Sequence, residues 1–190
     1  MRIVIAALCL LATGAGAECL PPGKTPAKVT FADGAVIDGI TRQGNILRYQ
    51  SRPEPDQIMG MEALWGIYPL QSSFNGNEVR YDWQGAAPPD PATLTPGREV
   101  QLFAQQVLPA TKLAYAMTVR LLGTETLVVG DCHYPVLHLA VTMGTPTAVR
   151  VEGERWLDPE HLVIWATKTR ILDKNGNLER ETSSQAVAAE

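Results

Sequence analysis

The 190-residue chain carries 16 Lys and Arg against 20 Asp and Glu, with 45% hydrophobic residues, 16 Gly, 14 Pro and 3 Cys. That length and apolar content suit one domain with a buried core and argue against a chain dominated by disorder. A net charge of −4, with no cluster of Lys or Arg, argues against a nucleic-acid partner, because such binding rests on cations that displace phosphate counterions.

Met1-Arg2, the apolar run over residues 3–12 and Ala15-Gly16-Ala17 have the three parts of a secretory signal peptide cleaved after Ala17. The apolar run is shorter than the ~20 residues that cross a bilayer as a helix, and no later segment approaches that length. The expectation is a periplasmic protein, residues 18–190, with no transmembrane segment. Loss of Arg2 leaves 15 basic residues against 20 acidic ones. Cys9 leaves with the signal, and Cys19 and Cys132 are expected to form one disulfide in an oxidising compartment. A lipid-modified Cys19 is the competing reading, disfavoured because Glu18 stands where lipoprotein signals place a small residue.

In chain order, residues 28–32, 35–41 and 46–51 read as strands, the first two joined at Asp33-Gly34. Asp56 as an N-cap, with Ile58, Met61, Leu64 and Trp65 at helical spacing, predicts a short helix over 56–65. Residues 67–74 should pair with 78–84 around Asn75-Gly76. Residues 86–97 form a Pro-rich loop, since proline lacks the donor that helix and sheet need. Beyond it, Leu113, Tyr115, Met117, Val119 and Leu121 alternate with more polar neighbours, as do Leu137, Leu139, Val141 and Met143. Residues 162–172 should pair with 178–184 across Asn175-Gly176; apolar groups on both faces of the first strand suggest that it is covered on both sides. Residues 185–190 are expected to fray. The predicted fold is a single mainly β domain: an antiparallel meander forming a curved sheet, half-barrel or two-sheet sandwich with at most one short helix. An N-terminal meander (27–84) and a C-terminal one (98–184) flank the Pro-rich loop.

Chemistry is sparse. Cys132 and His133 are adjacent and point to opposite faces of a strand, so they make a nucleophile and base only if a bulge, for which Gly130 is the candidate, intervenes, and a disulfide would consume the thiolate. Three scattered histidines, His133, His138 and His161, lack zinc-ligand spacing, so no metal is expected. Serine occurs at positions 51, 72, 73, 183 and 184, none within a G-x-S-x-G elbow, and no glycine-rich phosphate loop is present. No cofactor is implied. Glu152 and Glu154, two apart on one strand face, resemble in spacing the paired carboxylates of inverting glycosidases. With Asp158 they carry an alternative reading as an enzyme on an envelope polymer. The stronger hint is apolar: Tyr115, Met117, Trp156 and Trp165 are candidates to face a hydrophobic ligand on a concave sheet.

The run Gly123-Thr124-Glu125-Thr126-Leu127-Val128-Val129, then Cys132-His133-Tyr134-Pro135-Val136, Arg155-Trp156-Leu157-Asp158-Pro159 and Asp173-Lys174-Asn175-Gly176 resembles a pattern in uncharacterised periplasmic β-sheet proteins of Gram-negative bacteria. The resemblance covers residues 121–176 and implies an architecture like the half-barrel of lipoprotein-localisation carriers, which hold acyl chains on a concave face. It transfers no catalytic residues. The expected function is a non-enzymatic exported binding module, whose partner is a hydrophobic small molecule or an envelope protein. A third reading is an interaction module that pairs a partner strand with a sheet edge.

Overall fold

The computed structural model describes residues 19–54, 57–145 and 150–190. The expected signal peptide and Asp56 lie outside them. Among the described residues twelve antiparallel strands follow in order: β1 (Lys28–Phe31), β2 (Val36–Gln43), β3 (Ile46–Glu54), β4 (Gln57–Leu64), β5 (Tyr68–Phe74), β6 (Asn77–Trp83), β7 (Glu99–Val107), β8 (Lys112–Val129), β9 (Cys132–Gly144), β10 (Arg150–Asp158), β11 (Val163–Leu172) and β12 (Leu178–Ala189). Each pairs with its neighbours in sequence, and β1 pairs with β12, so the meander closes into a barrel. The barrel replaces the curved sheet, half-barrel or sandwich expected from the sequence. Its closure depends on the C-terminal residues, which do not fray: Val29 sits opposite Ala189 and Phe31 opposite Ala186. The small residues there leave room for that approach, and pairing satisfies backbone groups that a loose tail would leave to water.

The predicted helix over 56–65 is also overturned. Residues 57–64 are strand β4, paired with β3 through Met61↔Tyr49 and with β5 through Met61↔Ser72. The apolar spacing at Ile58, Met61 and Leu64 fits a helix, yet two flanking strands supply the ladder bonds that decide the conformation. The Pro-rich segment holds one 3-10 turn, Pro91–Thr93, capped by the Asp90 side chain on the Ala92 N–H. The strands on either side of this segment pair directly, with Arg80 opposite Val107, so all twelve strands share one sheet.

The hairpins predicted at Asp33-Gly34, Asn75-Gly76 and Asn175-Gly176 all form, and Asn75, Gly34, Gly76 and Gly176 have positive φ. A bulge at Leu122 shifts the β8–β9 register: Leu121 faces Leu139, yet Gly123 faces His138. Two hydrophobic clusters result. One gathers Tyr68, Tyr115, Met117, Val119, Leu139, Val141 and Leu157 from β5 to β10. The other gathers Val29, Phe31, Leu47, Tyr134, Val136, Val163, Trp165 and Ala186 around the barrel closure. Strand β11 is covered on both sides at its start, where Val163, Trp165 and Ala166 are all buried.

Candidate functional site

The four candidate ligand-facing residues do not share one surface. Tyr115 is buried edge-on against Tyr81 at 5.0 Å and Trp83 at 6.0 Å. Met117 is wholly enclosed in the same cluster. Trp165 is enclosed in the other, 4.8 Å from Tyr134, and its indole N–H donates to Asp158 Oδ2 at 3.0 Å. Trp156 alone lies half-buried at the surface, stacked on His138 at 4.4 Å. Burial pushes the phenols of Tyr68 and Tyr115 well above the ordinary tyrosine range. An apolar cavity beside Ile40, Leu47, Leu162 and Val163 measures about 20 Å³, room for about one water molecule.

Cys19 and Cys132 are joined in a disulfide with Cα atoms 5.5 Å apart. Cys132 therefore has no free thiol, and His133 is exposed on the other side of β9. The bond pins the N-terminal segment over a buried polar knot. The Leu20 N–H donates to the Tyr134 hydroxyl at 3.2 Å. His161 bridges Asp158 Oδ2, 2.6 Å from Nδ1, and the Pro21 carbonyl, 3.2 Å from Nε2. Asp158 Oδ1 accepts from the Glu160 and His161 backbone N–H groups. Asp158 and His161 are 1% and 4% exposed, so this carboxylate reaches no solvent-borne substrate.

Glu152 and Glu154 lie on the outer wall. Glu152 is bracketed by Arg150 at 3.0 Å and Arg170 at 3.8 Å. Glu154 Oε2 lies 2.7 Å from His138 Nε2, and Glu125 Oε1 lies 2.7 Å from His138 Nδ1. Glu125 Oε2 also accepts from the Trp156 indole at 3.0 Å. Both glutamates are held by basic groups, and Asp158 is sealed in the core, so the three residues of the enzymatic reading share no cleft. Sequence reasoning missed Glu125. Its partnership with His138 depends on the Leu122 bulge, which alternation alone does not reveal. Among the described residues, no group of three or more His, Cys, Asp or Glu is placed to hold a metal ion.

The outer wall also carries an open groove of about 520 Å³. Its floor includes Gln101, Thr118 and Thr142, direct cross-strand partners on β7, β8 and β9. The β11–β12 turn, Asp173–Gly176, forms its wall. The turn is built on Asp173, whose Oδ1 accepts from the Asn175 and Asn177 N–H groups, both at 2.8 Å; with the Asn177 side-chain amide, these bonds hold the carboxyl below the usual range. Beside the floor, Phe103 faces Ala116 and is 52% exposed.

No helix among the described residues is long and apolar enough to cross a membrane. The strands β8 to β11 turn apolar groups such as Met117, Val119, Leu139 and Val141 into the core and Arg120, Thr142, Glu152 and Arg170 outward, the reverse of a lipid-facing barrel. No family model matches the sequence, and no curated protein matches it. The fold is similar to the crystal structure of a hypothetical lipoprotein, YmcC, from Escherichia coli (K12), with a TM-score of 0.50 and 9% sequence identity over 89% of this chain and 88% of that one. At that identity the likeness is one of fold.

Proposed function

We propose that this chain is an exported, non-enzymatic component of the cell envelope that binds through its outer wall. The observation that carries this reading is the Cys19–Cys132 disulfide, a bond that persists in oxidising compartments and is rare in the cytosol. The fold shared with a protein described as a hypothetical lipoprotein supports an envelope setting. The same bond argues against a lipid anchor on Cys19, because a lipid thioether requires the sulfur that the disulfide occupies. A non-enzymatic role draws support from the glutamates held by basic groups and from the buried Asp158. Binding outside rather than inside draws support from the enclosed side chains of Met117 and Trp165.

The test is to express the full chain in a Gram-negative host, fractionate the cells and alkylate the denatured protein without reductant. Recovery in the periplasmic fraction with no free thiol, and with Cys9 removed, is the expected result. A cytoplasmic protein that alkylates at Cys19 and Cys132 would overturn the proposal. Mass spectrometry of the same material under native conditions is expected to find no stoichiometric acyl lipid. A retained lipid would return the ligand role to Tyr115, Met117 and Trp165.

A further inference from the structure

The groove under the β11–β12 turn offers polar side chains that no other described residue engages. Gln101, Thr118 and Thr142 lie in one cross-strand row, so they stand about 4.8 Å apart, close to the rise of one sugar unit in an extended chain. None of these three side chains hydrogen-bonds to another described residue, whereas the neighbouring Glu152 is held by two arginines. A row of amide and hydroxyl groups serves as both donor and acceptor, which is what a polyhydroxylated ligand requires.

The next row is Phe103, Ala116 and Gly144. Small residues beside Phe103 leave its ring open to solvent, an apolar plate against which the C–H face of a sugar can lie. Charge narrows the ligand further. Arg150 at the rim is paired with Glu152, and Lys174 follows Asp173 in the turn, so cations and anions balance. Such a site attracts neither an anion nor a cation selectively. A peptide strand is disfavoured too, because β8 and β9 at the floor are already hydrogen-bonded on both sides.

From these observations we infer that the groove binds a neutral oligosaccharide, laid across β7 to β9 with one sugar ring on Phe103. The inference rests on the outer-wall reading above and adds to it a ligand class and a place.

The experiment titrates the exported, isotope-labelled full-length protein with maltohexaose, cellohexaose and chitohexaose at millimolar concentration and follows backbone amide resonances. At least one sugar should shift Gln101, Thr118 and Thr142. Phe103→Ala should weaken that sugar about tenfold, and Thr142→Val should weaken it as well, with thermal midpoints unchanged because both residues lie on the outer wall. Silence with all three sugars overturns the inference. So do shifts centred on His138 and Trp156, or a Phe103→Ala variant with undiminished affinity. Thiol state and cell fraction are measured on the same preparation. An exported, oxidised but silent protein sinks the groove alone, whereas a cytoplasmic, reduced one sinks the envelope reading.

Discussion

Val136 and Leu137 are adjacent in the chain, yet each is buried in a different hydrophobic cluster. Successive side chains of a strand point to opposite faces, so β9 is a partition with a core on each side. Replacing Val136 by Ala should cost about 2 kcal/mol and Leu137 by Ala about 3 kcal/mol in urea unfolding. Neighbours in contact usually couple, but the buried members of the two clusters are separate and only half-buried Trp65 packs against both. The double variant should therefore lose the sum, to within about 0.5 kcal/mol. A coupling energy above about 1 kcal/mol would mean that the two sides are one core.

Gly66, between β4 and β5, should be the least replaceable turn glycine. Its φ is +71°, and a Cβ there would lie 2.1 Å from the Leu162 carbonyl oxygen, so the β4–β5 and β10–β11 turns interlock. Gly34 has a φ of +88° with open space around it. Gly34→Ala should cost only the left-handed backbone penalty, about 1 kcal/mol. Gly66→Ala adds a backbone clash and should cost about 3 kcal/mol or more. Thermal midpoints of the two variants give the ranking directly.

Asp158 accepts four hydrogen bonds and is almost wholly buried. Asp158→Ala strands the Trp165 indole, the His161 ring and two backbone N–H groups. The expected loss is about 3–5 kcal/mol, as when one partner is removed from a buried pair. Trp165 fluorescence should shift to longer wavelength before global unfolding, since the knot that excludes water from it is gone. An unchanged midpoint would show that the N-terminal segment does not depend on this carboxylate.

Alkaline pH should weaken the fold. Burial raises the phenols of Tyr49, Tyr68 and Tyr115 in the folded state. A raised folded-state pKa means that the unfolded chain releases its proton first, so stability holds below about pH 10 and falls as pH rises beyond it. The thermal midpoint by circular dichroism should therefore fall as pH rises above about 10. Smooth titration of all five tyrosines with an unchanged midpoint would contradict the burial of Tyr68 and Tyr115.

Local features were legible in the sequence where local chemistry decides them. Asp-Gly and Asn-Gly turns predicted three hairpins because positive φ is a property of single residues. The alternation at Leu113 to Leu121 and at Leu137 to Met143 predicted two strands, and its faces hold the buried Tyr115 to Leu121 and Leu137 to Val141, while Leu113 at the strand end is exposed. What escaped depends on partners distant in sequence. Residues 57–64 are strand because β3 and β5 flank them. The barrel closes because Val29 meets Ala189, a register set by everything between them. The Glu125–His138 contact follows from one extra residue at Leu122. The consecutive Val136-Leu137 pair was the one local sign of a second core, since it breaks an otherwise regular alternation.

The pairing of the first strand with the last sets the order in which this molecule can be completed. Until residue 189 is available, β1 lacks its second neighbour, and no N-terminal fragment can finish the wall. Contacts of such long sequence separation form slowly, because loop entropy must be lost before any pairing repays it. During synthesis the chain therefore stays unlatched until its last strand is made. The Cys19–Cys132 bond can then fasten a barrel that could not have shut before its last strand was in place.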